Sequence, residues 1–341
     1  MSKKVTLQDI ADALGLSRNT VSKAFNGKHL PEKTRTRIIN KAIEMGYKEL
    51  DKISNKHALL KNKRILLLTT KDLQQLNFFI DVIRGIEDLV NKYDLLLFQY
   101  YCKGIEEFEE LKTYIETNQI DGILCIEVFD SAFINKLLSL ELSVVFIDFV
   151  VDDQDIHGQY DVIMMENINA VKHLLIHLIK KHKMNKLGFV GDYNHCRGFY
   201  ERFIGYKEAL FSTGLPYVNA YNITKADDFP YGDPHSLSQE IQALKELPDC
   251  FVCANDFIAV SLINALSQLG IHVPKDIQVV GFDNSKEAKI SNPPLTSIDV
   301  DKEELGREAL IALLNRIKYQ DHNNKYIYIK TAPIIRQSTK N

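Results

Sequence analysis

The sequence predicts an α/β protein: a two-lobed, doubly wound core with parallel sheets, preceded by a small all-helical module. Three observations predict it. From about Ile65 onward, short apolar runs alternate with helical patterns, the texture of successive βα units. The first 50 residues hold three short helical patterns and no strand pattern. Charge divides at the same place: residues 1–63 carry 14 Lys and Arg against 6 Asp and Glu, whereas the rest of the chain carries 28 against 39. A basic module attached to an acidic body suggests that the two parts meet different partners, the first of them a polyanion.

In the module, Leu7, Ile10, Ala11 and Leu14 recur at helical spacing after Thr6, a plausible N-cap. Gly15-Leu16 makes a turn, and Ser17 caps a second helix running to about Phe25. Pro31 opens a third helix with Ile38, Ile39, Ala42 and Ile43 as its apolar stripe, and Gly46 stops it. A lysine-rich stretch, Lys48 to Lys63, follows.

The strand candidates of the body start at Ile65, Leu95, Gly122, Val144, Asp161, Leu187, Cys250 and Ile277. Helical patterns such as Phe79–Val90, Ile168–Lys181 and Ile258–Leu269 separate them. Residues 64–341 exceed one typical domain, so two lobes are expected. We divide the chain into a helical module (1–50), a linker (51–63) and the core. Lobe one takes about 64–158 and 288–320, and lobe two takes 159–287 and 321–341.

No run approaches 18 apolar residues, and "MSKKVTLQDI" lacks an apolar signal core, so a soluble, cytosolic protein with no membrane partner is expected. The five cysteines lie mostly in apolar runs, which suits buried thiols better than disulfides. Cys250 and Cys253 have CxxC spacing, but on a strand they face opposite sides. His173 and His177 sit four apart on a helix, with no third ligand on that face. The sequence contains no Walker A loop, no G-x-G-x-x-G after a strand, no G-x-S-x-G elbow and no H-E-x-x-H. An enzyme, a resident metal and a cofactor are therefore not expected.

A short second helix after a tight glycine turn is helix-turn-helix geometry, in which the start of the second helix meets base edges in the major groove. Val21, Ala24 and Phe25 would seat that helix, leaving Ser17, Arg18, Asn19, Ser22 and Lys23 outward. Arg forks onto guanine and Asn onto adenine, and hydroxyls suit phosphates. In the body, predicted strands end in Asp148, Asp192, Asp256 and Asp283. Ligands of open α/β sheets bind beyond strand carboxyl ends, where several acids with nearby aromatic rings would suit a polyhydroxylated molecule.

"VTLQDIADALGLSRNTVSKAFNG", then "PEKTRTRIINKAIEMGY", "VPKDIQVVGFDN", "PPLTSIDVDKEELGREAL" and "IIRQST" closely resemble the lactose-repressor (LacI/GalR-type) family of bacterial transcription regulators over nearly the whole chain. The resemblance implies base reading by Arg18, Asn19 and Lys23, with phosphate contacts from Thr6, Ser17, Thr20, Ser22, Asn26 and Thr34. It implies a homodimer on a near-palindromic double-stranded DNA operator, and a small-molecule effector, a carbohydrate or related metabolite, held between periplasmic-binding-protein-like lobes. Asp256 and Arg202 match its strongest ligand positions, with Phe78, Phe79, Phe229 and Asp283 as weaker matches. Arg197 competes with Arg202, and for the phenylalanines a core role stands beside the ligand role. The linker departs from the pattern: "SNKHALLKNK" lacks the usual Ala-Arg-x-Leu-like hinge. Leu59 or Leu60 is left as a candidate minor-groove wedge, with Lys56, Lys61 and Lys63 near phosphates, and a flexible basic linker is the alternative.

Overall fold

The computed structural model describes residues 5–25, 30–45, 47, 60–71, 77–319 and 323–340. It divides into two compact units, one comprising residues 1–63 with 93–95 and the other comprising 64–92 with 96–341.

The first unit contains α1 (Leu7–Leu14), α2 (Arg18–Phe25) and α3 (Glu32–Glu44). A capping box starts α1: the Asp9 amide donates to Thr6 Oγ1, and the Thr6 amide donates to Asp9 Oδ2 at 2.7 Å. Gly15 ends the helix at φ 65°, a left-handed conformation that glycine adopts without a Cβ penalty. The Thr20 amide donates to Ser17 Oγ at 3.0 Å and so fixes the start of α2. Ile10, Ala11, Val21, Ala24, Ile38, Ala42 and Tyr47 form one small core.

The second unit begins with β1 (Arg64–Thr69), α4 (Asn77–Lys92), β2 (Leu96–Tyr101), α5 (Phe108–Thr117) and β3 (Gly122–Ile126). Next come α6 (Ser131–Leu138), β4 (Ser143–Ile147), β5 (Tyr160–Met165), α7 (Ile168–His182) and β6 (Leu187–Val190). They are followed by α8 (Arg197–Thr213), α9 (Pro234–Ala243), β7 (Cys250–Cys253), α10 (Asp256–Gln268) and β8 (Gln278–Val280). The last elements are α11 (Lys286–Ile290), β9 (Ser297–Val300), α12 (Lys302–Lys318), β10 (Lys325–Ile329) and β11 (Thr331–Ile334).

The first lobe is built on a six-stranded parallel sheet, β10-β5-β4-β3-β1-β2, and the second on the parallel sheet β6-β7-β8. β9 and β11 pair antiparallel, an element the all-parallel expectation lacked.

Two strands move across the lobe boundary drawn from the sequence. β5 and β10, assigned to lobe two by the divisions at 158 and 321, lie side by side in the first lobe's sheet, with Asp161 opposite Lys325 and Ile147 opposite Ile163. Every residue of β5 is buried, as expected of a strand inside a parallel sheet. The first lobe regains the chain at α12, which packs on α4, β3, β4 and β5, not at residue 288. The chain thus crosses between lobes after β5, along β9 and after β10.

Two features hold α12 in place. Arg316 Nη1 meets Asp161 Oδ1 at 2.6 Å, with side chains 4% and 2% exposed, and the Lys325 amide donates to the same oxygen. Glycines let α12 and α4 touch backbone to backbone: a Cβ on Gly306 would lie 2.0 Å from the Val82 carbonyl oxygen, and one on Gly85 2.0 Å from that of Glu303. Gly306→Ala is expected to lose about 1–3 kcal/mol by forcing the helices apart, outweighing alanine's better helix propensity. A denaturant midpoint equal to or above wild type would contradict that close approach.

Candidate functional site

The outward face of α2 is polar and basic. Ser17, Arg18, Asn19 and Lys23 are exposed, Val21 and Ala24 are buried, and Phe25 packs half-buried against Tyr47 with ring centroids 5.6 Å apart. Thr20, Ser22 and Thr34 are half-buried. Thr6 is exposed, with its hydroxyl donating to Asp9. Asn26, Lys56 and Leu59 lie outside the described residues; Leu60, Lys61 and Lys63 lie within them.

In the second unit, acids gather where strand ends of the two lobes face each other. Glu127 after β3, Asp148 after β4, and Asp283 and Asn284 after β8 all hold positive φ, at 57°, 62°, 110° and 49°. Such conformations cost non-glycine residues roughly 1–3 kcal/mol each and concentrate at functional sites. Asp148 Oδ1 accepts the amides of Phe149 and, across the cleft, Gly198 at 3.0 Å. A Cβ at Gly198 would lie 2.5 Å from Asp148 Oδ2, so glycine is required for this approach. Asp192 caps its own turn by accepting from the Asn194 amide.

Arg202, on α8, is 3% exposed. Nε donates to Asn167 Oδ1 (3.0 Å), Nη1 to the Ala254 carbonyl (2.7 Å) and Nη2 to Met165 Sδ (3.0 Å). The guanidinium stacks 3.8 Å from the Phe282 ring centroid and lies 3.7 Å from Asp283 Oδ1. Its competitor Arg197 covers the Tyr326 ring and faces Asp153 and Glu201.

Two expected ligand residues are placed otherwise. Asp256 is fully buried: Oδ1 accepts from the Ser297 hydroxyl and Oδ2 from the Ser285 amide, both at 2.7 Å. It ties α10 to the β8–α11 loop and to the crossing strand β9, so in this structure neither oxygen is open to a ligand. Phe79 is buried in the core, edge-on to Phe78. Phe78 is half-buried and lines a cavity of about 400 Å³ with Asn284, Asp299 and Lys302. Phe229 is half-buried against Tyr231.

The sequence reading missed a second charged group. Lys71 Nζ pairs with Glu127 Oε2 at 2.6 Å, and Glu127 Oε2 lies 4.0 Å from His195 Nε2. His195 Nδ1 bonds Asp227 Oδ2 at 2.6 Å. Glu127 carries the same strand-end signal as the four aspartates, following "GILCI" directly; His195 and Lys71 lie in loops without any pattern.

Burial raises the Asp256 carboxyl well above the usual range, reinforced by the charge of Asp283. Burial also raises Asp283, against the opposing pull of Arg202 and Lys302. These carboxyls keep protons in the folded state that they lose when unfolded, so stability should fall as pH rises above the ordinary carboxylate range. Asp256→Asn, matching the protonated form, should flatten that slope in denaturation midpoints between pH 4.5 and 8. An unchanged slope would remove Asp256 as its source.

The remaining sequence candidates are placed without a site. All five cysteines are buried and free, and His173 and His177 are exposed on α7. Among the described residues, no group of three or more His, Cys, Asp or Glu could hold a metal ion, and no helix is long and apolar enough to cross a membrane.

Residues 176–339 match the periplasmic binding protein-like domain. The chain is 26% identical to the HTH-type transcriptional repressor PurR of Photobacterium profundum, covering 98% of both chains. It is 27% identical to the HTH-type transcriptional repressor CytR of Escherichia coli K12, covering 98% of this chain and 96% of that one. In fold it is similar to the transcriptional regulator CelR–cellobiose complex (TM-score 0.72, 21% identity, 98% and 100% covered). It is also similar to the lac repressor dimer bound to operator and the anti-inducer ONPF (TM-score 0.65, 19% identity, 99% of each covered). Along 98% of its length the chain is thus similar to HTH-type transcriptional repressors, and in fold to the lac repressor and CelR.

Proposed function

We propose that the protein is a homodimeric, ligand-responsive repressor that sets two copies of α2 on the half-sites of a near-palindromic operator. The observation that carries this reading is the sorting of α2: Val21 and Ala24 buried, Arg18, Asn19 and Lys23 exposed, on a basic module. Residues 1–50 form the DNA-binding headpiece, 51–63 the linker and 64–341 the sensing and dimerising core. Two-fold symmetry of the protein demands two-fold symmetry of the site.

The effector sits between the lobes and is polyhydroxylated, a carbohydrate or related metabolite. Asp148 and Asp283 accept its hydroxyls, Arg202 braces Asp283, and Phe78 and Phe229 offer apolar faces. Asp256 supports this wall from behind. The effector acts through its different affinity for two lobe arrangements. The similar CelR fold is a cellobiose complex, which makes cellobiose a sensible first probe.

The test is selection from a random DNA library with the full chain, with and without cellobiose or ribose. Enrichment of a two-fold-symmetric sequence is expected. Failure to enrich one under every condition overturns the dimeric-repressor reading.

A further inference from the structure

The chain Lys71–Glu127···His195–Asp227 crosses between the lobes. Lys71 and Glu127 follow β1 and β3 of the first lobe, while His195 and Asp227 lie in the β6–α8 and 224–230 loops of the second. We infer that these side chains form a clasp holding the lobes together, and that its strength depends on the protonation of His195.

Three observations carry this. First, an imidazole lies between two carboxylates from opposite lobes, 2.6 Å from Asp227 and 4.0 Å from Glu127. When neutral it can donate from one ring nitrogen only; when protonated it donates from both and carries a charge attracted to both acids. Second, the centre of the clasp is withdrawn from water, with the His195 and Glu127 side chains 15% and 13% exposed. Their attraction is screened less than that of a surface pair. Phe129 and Phe199 pack on the ring, at 5.4 and 5.0 Å between centroids. Third, Glu127 reaches this position from a left-handed backbone, φ 57°, a conformation that costs a non-glycine residue and concentrates at functional sites.

The other charges around the ring set the sign. Lys71 pairs with Glu127 and also acts on Asp227, whose carboxyl is held below its usual range first by its hydrogen bond to His195. Asp192 and Cys196 belong to the histidine's own turn, where the Asp192 carbonyl accepts the His195 amide. Lys71 opposes protonation of His195, whereas Glu127, Asp227 and Asp192 favour it. Protonation adds a second donor and a positive charge between the two acids, so the clasp tightens as pH falls and loosens as it rises. The clasp requires no DNA; only its bearing on operator occupancy rests on the repressor reading.

The test measures the distance between the lobes. Spin labels are placed at Glu116→Cys on the first lobe and Lys245→Cys on the second, in full-length chain diluted with unlabelled chain. The native cysteines are buried and label poorly. Between pH 8.5 and pH 5.5 the closed-to-open ratio should rise. His195→Gln and Glu127→Gln should each remove most of that rise at unchanged folded content. A wild-type distribution indifferent to pH overturns the clasp. So does a rise that survives in both variants, since it would belong to Asp256 and Asp283.

Discussion

Arg202→Met should destabilise the core by about 3–5 kcal/mol, the usual loss when one partner of a buried charged pair is removed. Methionine keeps an apolar stem over Phe282 but strips the donors from Asn167 Oδ1 and the Ala254 carbonyl, and removes the cation beside Asp283. Asp283 is already raised by burial, and Arg202 is the strongest influence holding it down. Its loss therefore drives Asp283 toward the neutral acid, and the penalty should be smaller at pH 5.5 than at pH 8, where that proton must be kept against solution. Arg202→Lys restores charge without the planar fork and should recover only part of the loss. Denaturation at the two pH values measures this. Wild-type stability of Arg202→Met at both would refute the charge balance described here. With Asp283 neutral, the proposed hydroxyl acceptor becomes a donor as well, so effector response should fall further than stability accounts for.

The second large effect concerns DNA. Arg18 is exposed at the first turn of α2, clear of the headpiece core. A bidentate arginine–guanine contact discriminates by about 1–3 kcal/mol. In the proposed dimer the contact occurs twice, so Arg18→Ala should cost roughly 2–6 kcal/mol of preference at one position of each half-site. Lys23→Ala should relax preference at a neighbouring position, whereas loss of a phosphate contact weakens all sequences alike and lowers the salt slope by about one. Binding titrations against an operator and its single-base variants separate these outcomes. If Arg18→Ala weakens every variant equally, Arg18 is a phosphate ligand and the base reader lies elsewhere.

Local pattern was enough where local chemistry decides the structure. Thr6, Gly15 and Ser17 mark the ends of the first two helices because caps and left-handed turns depend on residues within three or four positions. The apolar runs at Ile65, Gly122, Val144 and Cys250 became strands with nearly the same bounds because strands buried on both faces are written as continuous apolar sequence. β5 is equally apolar, and its pattern revealed the strand but not the lobe, since pairing with β4 and β10 is a contact across up to 164 positions.

The helical module, the polar outward face of α2, the alternating core and the acids at strand ends were determined by the sequence itself, through capping, periodicity and charge. Only the tertiary structure decided what each acid does. Asp148, Asp192, Asp256 and Asp283 carry the same signal in sequence, yet one bridges the cleft to Gly198, one caps a turn, one is sealed behind Ser285 and Ser297, and one faces Arg202. Burial and partners at long sequence separation set those roles, and so they did for Glu127 and His195, which meet 68 positions apart with nothing in either neighbourhood to announce the other.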